Sequence, residues 1–241
     1  MKRLLGASVL FVVAACFPLR ASEVISFPPV VSISVGGVQV DTEGLKITYD
    51  PSTQQWHVVG DIATADWSLS VSGTSTTPDP FILYGFGAAN LTGAPLTFSF
   101  SITTPVREGP YNEISNSFNG SMTDFAGDGV NLSGIVLRAL LNGLNVPAVQ
   151  LGPSTCTGGP GAPLMNYPCP AGPGFGPVSA TVPMALYTTL GMNPIFTLSS
   201  LDSASFNGAV DLTASPEPTT AALIGLSLLC LAGFRARSRR P

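Results

Sequence analysis

Leu96-Thr97-Phe98-Ser99-Phe100-Ser101-Ile102 alternates apolar and hydroxyl side chains without a break. Successive side chains of an extended strand point to opposite faces. Period two therefore puts Leu96, Phe98, Phe100 and Ile102 on one buried face and the hydroxyls on the other. Strand-length runs flank this segment on both sides. Val30–Val35 ends at Gly36-Gly37, Lys46–Tyr49 ends at Asp50-Pro51, and Trp56–Val59 and Trp67–Val71 alternate or nearly so. Phe81–Tyr84 is a continuous apolar run and reads as buried on both faces. Ser117–Met122, Ile195–Leu198 and Phe206–Leu212 supply later strands. Many short strands separated by Gly, Pro, Asn and Asp predict an all-β fold, an antiparallel β-sandwich of jelly-roll type.

Three stretches are less regular. Leu137–Leu141 and Leu144–Val149 flank Asn142-Gly143, a dipeptide that favours a tight hairpin turn. The competing helix over Ile135–Leu141 is limited to about two turns by Gly134, Gly143 and Pro147. Gly85-Phe86-Gly87-Ala88-Ala89-Asn90 lacks the third glycine of a dinucleotide loop and no strand–helix alternation surrounds it, so it reads as a plain loop. Gly152–Pro177 is dense in Gly and Pro and reads as an irregular loop pinned by a Cys156–Cys169 disulfide.

Charge is distributed unevenly. All fourteen acids lie between Ser22 and Pro218, where the only cations are Lys46, Arg107 and Arg138. Three scattered cations form no basic patch, which excludes a nucleic-acid partner. An acidic, lysine-poor body rich in Ser, Thr, Asn and Gly suits an extracellular protein.

The two ends read as address tags. Lys2 and Arg3 precede the apolar run Leu4–Phe17, the pattern of a secretory signal peptide cleaved after Ala21. Val13-Ala14-Ala15-Cys16 also has the form of a lipoprotein box, with Cys16 the acylated residue. At the other end, Pro216-Glu217-Pro218 precedes the uncharged run Thr219–Phe234, and Arg235, Arg237, Arg239 and Arg240 follow. As a helix the run would be about 24 Å long, a little short of a hydrocarbon core. Arginines after a span are retained on the cytoplasmic side, which leaves the body outside. A plain membrane anchor has the same composition.

This tail resembles the PEP-CTERM sorting signal of Gram-negative bacteria, through Pro216-Glu217-Pro218, the span Thr219–Phe234 and the arginine cluster. The resemblance covers about a tenth of the chain. It implies a membrane-embedded exosortase as processing partner, transient residence in the membrane, and release near the tripeptide. The resulting organisation is a signal peptide over 1–21, a β-sandwich ectodomain over 22–213, and a sorting and anchor segment over 214–241 with a transmembrane helix.

Chemistry is sparse. His57, the single histidine, is the only base available to a Ser/His/Asp or Cys/His arrangement, and it sits mid-strand with no nucleophile motif beside it. Asp124-Phe125-Ala126-Gly127-Asp128-Gly129 has the look of a calcium loop, making Asp124 and Asp128 calcium candidates, but it departs from the EF-hand pattern. Glu108, Glu113, Asp124 and Asp128 show no spacing that singles out a glycosidase pair. Trp56, Trp67, Tyr84, Tyr111 and Tyr187 either pack the core or offer faces to sugars. Three glycosylation triplets begin at Asn90, Asn119 and Asn131 and read as chance matches.

The expectation is a non-enzymatic protein without cofactor, exported to the cell surface or extracellular matrix, where it is structural or adhesive and contacts polysaccharide. The alternatives are a carbohydrate-binding module and, third, a secreted hydrolase.

Overall fold

The alternation around Phe98 sets the fold. In a computed structural model that describes residues 27–76, 80–107, 110–169 and 176–214, strand β7 (Leu96–Pro105) buries Phe98, Phe100, Ile102 and Thr104 and turns Thr97, Ser99, Ser101 and Thr103 outward. Each buried phenylalanine contributes on the order of 2–3 kcal/mol by leaving water. That requires a second apolar layer, and the rest of the chain builds it.

The first six strands are β1 (Val30–Val35), β2 (Val38–Gln39), β3 (Lys46–Asp50), β4 (Gln55–Ala63), β5 (Trp67–Thr76) and β6 (Phe81–Asn90). After β7 come β8 (Pro110–Asp124), β9 (Val130–Leu141), β10 (Leu144–Asn145) and β11 (Leu151–Gly158). The chain then forms β12 (Met165–Pro168), β13 (Val178–Leu186), β14 (Thr189–Leu198) and β15 (Asp202–Ala214). They make two antiparallel sheets facing each other. The 7-stranded sheet runs β10-β9-β14-β7-β1-β2, with β11 also on β9. The 8-stranded sheet runs β12-β8-β15-β6-β5-β4-β3, with β13 also on β8. The expected two-sheet antiparallel sandwich is thus what the chain forms. The segments expected to form a signal helix and a transmembrane helix fall outside the described residues.

Aromatic rings join the two layers. Phe86 of the larger sheet lies 5.1 Å from Phe100 and 5.9 Å from Phe196 of the smaller, and Phe196 meets Phe206 at 4.6 Å. Phe118 stacks on Phe206 at 4.9 Å. Such pairs add about 0.5–1.5 kcal/mol each beyond burial.

The hairpin at Asn142-Gly143 forms. Leu144 pairs with Leu141, and both turn residues have positive φ, 51° and 75°, as a type I′ turn requires. Three expectations are corrected. Gly85–Asn90 is the second half of β6, not a loop, with every residue paired to both β5 and β15. Phe81–Tyr84 is not buried on both faces, because Leu83 faces outward and is 49% exposed. Gly152–Pro177 contains regular structure: β11 pairs with β9 and β12 with β8. Glycine and proline density hid these short strands, which borrow their order from β9 and β8.

Topology fixes two ends. Val30 pairs with Thr103, and Ala214 pairs with Tyr111. Both sit beside the β7–β8 connection, so the described body is entered and left at one end. The β6–β7, β8–β9 and β14–β15 turns lie at the other.

Candidate functional site

Alternation that buries one face of the 8-stranded sheet exposes the other, and that outer face is unusual in side-chain size. Antiparallel register lines up Asp61, Ser70, Gly87, Ser205 and Ser121 as one row across β4, β5, β6, β15 and β8. The next row is Val59, Ser72, Gly85, Asn207 and Asn119. Adjoining shallow hollows run over both rows. Their floor is glycine. A Cβ on Gly85 would lie 2.6 Å from Ser72 Oγ and 3.1 Å from Asn207 Oδ1, so hydroxyl and amide groups lean over the space a side chain would fill. Ser121 and Ser205 hydroxyls bond each other at 2.9 Å. Chemically this is a low surface of hydroxyl and amide donors and acceptors, with Asp61 as its charged member in these rows. It suits a polar ligand held by hydrogen bonds.

His57 borders this face, half-buried, with Nδ1 3.2 Å from Thr74 Oγ1. Its partner is a threonine on the neighbouring strand. Trp56, one residue earlier, points the other way and is half-buried against Tyr49, ring centroids 5.1 Å apart. Trp67 packs partly buried against the core. Tyr84 and Tyr111 are buried, as is Tyr187. Burial pushes the Tyr84 phenol well up, and its hydroxyl finds no hydrogen-bond partner. None of these aromatic rings lies in the two rows of the hollow.

The acids named for hydrolysis are spread out. Glu113 and Asp124 sit near opposite ends of β8, on the order of 35 Å apart along an extended strand. Glu108 lies outside the described residues.

Asp124 and Asp128 belong to the turn after β8. Asp124 accepts the Gly127 N–H at 2.6 Å and the Gly129 N–H at 2.8 Å, the local role that makes Asp common in turns. Among the described residues no group of three His, Cys, Asp or Glu gathers as a metal would need. The sequence reading missed Asp202, which pairs with Asp124 across β8 and β15 and with Asn90 across β6. All three are 0% exposed. Asn90 spends its amide on the carbonyls of Ala94, Leu198 and Ser199, so its triplet is structural. No local motif announces Asp202, because the cluster exists only once β15 lies between β6 and β8.

Cys156 and Cys169 form the expected disulfide, Cα atoms 5.5 Å apart. Cys156 is on β11 in the smaller sheet, and Cys169 follows β12 in the larger, so the bond staples the two layers. Pro216, Glu217, Pro218, Arg235, Arg237, Arg239 and Arg240 lie outside the described residues, as does Cys16. Among the described residues no helix is long and apolar enough to cross a membrane.

Neither a protein-family model nor a curated protein matches the chain in sequence. Among solved structures, the chain is similar to TmCBM61 in complex with beta-1,4-galactotriose. Identity is 9%, the match covers 77% of this chain and 88% of that one, and the TM-score is 0.28. At that superposition the likeness carries no functional argument.

Proposed function

We propose that this chain is an exported, non-catalytic surface protein whose β-sandwich adheres to extracellular polysaccharide through the outer face of its 8-stranded sheet. The observation that carries the reading is the glycine-floored hollow ringed by Ser70, Ser72, Ser205 and Asn207. A polyhydroxylated chain presents many weak donors and acceptors, and a row of hydroxyls meets them. Export rests on the two sequence tags. A signal peptide over 1–21, an exosortase-type enzyme acting near Pro216-Glu217-Pro218, and a transient Thr219–Phe234 membrane helix together deliver the body outside. Both strand ends that lead to those tags sit at one end of the sandwich.

A glycan-binding screen of residues 22–215 tests the reading. Binding to polysaccharide that weakens at least tenfold on Ser72→Arg or Ser205→Arg supports it; binding indifferent to both rejects the hollow. Intact-mass analysis of the surface form tests processing, and retention of Thr219–Pro241 rejects it.

A second reading, an autonomous carbohydrate-binding module that stacks sugar on a ring, draws on the Tyr49–Trp56 pair at the β3–β4 edge, where Ile47 is 37% exposed. Trp56→Ala separates the two readings, since it weakens binding that depends on stacking and leaves binding at the hollow unchanged.

A further inference from the structure

Alternation along β6 turns Gly85, Gly87 and Ala89 to the outer face, with β5 on one side and β15 on the other. Register places a polar side chain on both flanks of each. Gly85 lies between Ser72 and Asn207, and Gly87 between Ser70 and Ser205. Ala89 lies between Ser68 and Ser203, which makes a third rung of the same form. Alternate residues of a strand are about 6.8 Å apart, so the three rungs span about 14 Å along β6. The adjoining hollows follow the same line. One is lined by β6 residues 83–85, the next by 85–87 and the last by 87–89. The floor is low only over this stretch. Leu83, 49% exposed, stands at one end, and exposed Leu91 follows the strand at the other.

The backbone offers a ligand nothing here, because β6 is paired on both edges. A peptide that adds as a strand therefore has no free edge to use. What reaches outward from the rungs is five hydroxyls and the Asn207 amide, groups that both donate and accept. A polymer whose own repeating groups are hydroxyls meets every rung in the same way. Charge narrows the class further. Asp61 is exposed on β4 beside Ser70 and lines two of the hollows. Among the described residues no Lys or Arg lines any of the three. Lys46 pairs with Val59 on the far side of β4, two strands from Ser72. Residues 22–218 as a whole hold fourteen acids against three cations. A carboxylate or sulfate on the polymer would face Asp61 with no counter-charge to hold it.

We infer that β6 floors a track for an uncharged polysaccharide laid parallel to the strand, and that Asp61 is the residue that excludes anionic chains. This rests on polysaccharide binding at the outer face and adds to it a direction, a length and a charge class. The β5 and β15 side chains wall the floor on both sides, so a polymer lies lengthwise and gains contacts rung by rung. Asp61 stands outside the β5 wall, where it acts on charge carried by the polymer and leaves the rungs themselves unoccupied.

The test is calorimetric titration of the purified full-length chain, as wild type, Ser203→Arg and Asp61→Asn. The probes are linear oligosaccharides of glucose, mannose and galactose, two and six units long, and the same oligomers oxidised at C6 to uronates. The six-unit neutral oligomer should bind about fivefold tighter than the two-unit one for each further rung it reaches. Ser203→Arg fills the third rung and should remove that part of the gain, while the two-unit oligomer keeps the other rungs. At low salt the uronates should bind about tenfold weaker than their neutral parents, and added salt should narrow the gap. Asp61→Asn should recover most of the loss and leave neutral binding as it was. The length and charge preferences of the wild type stand without either variant. Equal affinity for the two lengths, or uronates held as tightly as their parents, overturns the inference; binding that is still sensitive to Ser72→Arg would then uphold the hollow itself. An Asp61→Asn protein that discriminates as the wild type does removes Asp61 from its role. Failure of every neutral oligomer to bind overturns the inference together with the reading it rests on.

Discussion

Along β6, Tyr84 and Phe86 point into the sandwich, while Gly85 and Gly87 beside them face the hydroxyl-lined hollow. Inside, volume is needed: Phe86 fills the space between Phe100 and Phe196. Outside, volume is excluded, because serines and an asparagine lean across the glycines. One strand therefore carries two independent requirements on alternating residues. The inner set governs stability, and the outer set governs what the surface can hold. Substitutions on the two faces are expected to separate these properties.

The largest effect is expected inside. Phe206 touches both Phe118 and Phe196, and Phe206→Ala should cost about 3–5 kcal/mol of unfolding free energy, read from urea titration. A loss under about 1 kcal/mol would mean that the aromatic stack does not organise the core. Next comes the inter-sheet staple. Cys156→Ser with Cys169→Ser opens a loop of sequence separation 13 and should cost about 2–4 kcal/mol, without altering glycan binding of the folded fraction. Third is Gly208 on β15, where the Tyr84 ring lies over the backbone. A methyl there meets Tyr84 Cζ at 2.5 Å and the Ser117 carbonyl closer still. Backbone cannot rotate aside as a side chain can, so Gly208→Ala should cost about 1–3 kcal/mol, seen as a lowered melting temperature.

The inner face was far more legible in the sequence than the outer. Leu96–Ile102 revealed its buried face directly, since period two and aromatic size are local properties. Gly85–Asn90 misled for the same reason: glycine and alanine carry no alternation signal, and only pairing with β5 and β15 shows that the segment is a strand. The hollow is assembled from five strands, and none of its serines is distinctive alone. Asp202 was invisible on similar grounds, because its neighbours Asp124 and Asn90 are distant in sequence and arrive through sheet register. The Cys156–Cys169 bond was legible, because the two cysteines between residues 22 and 213 leave one pairing.

The smallest stability change should come from the outer face, and it bears most directly on recognition. Gly85→Ala places a methyl 2.6 Å from Ser72 Oγ, which is the free end of a rotatable side chain, and 3.1 Å from Asn207 Oδ1. Both groups can swing away. The strain is offset by the entropy that alanine saves over glycine in a strand, about 0.5–1 kcal/mol, so net stability should stay within about 0.5 kcal/mol of wild type. The floor of the hollow nevertheless rises by a methyl group, and Ser72 and Asn207 lose the positions from which the proposed binding face would reach a ligand. Polysaccharide binding should therefore fall severalfold while the urea midpoint stays still. If affinity holds and the midpoint drops instead, the two faces of β6 are not independent, and the glycines serve packing and not recognition.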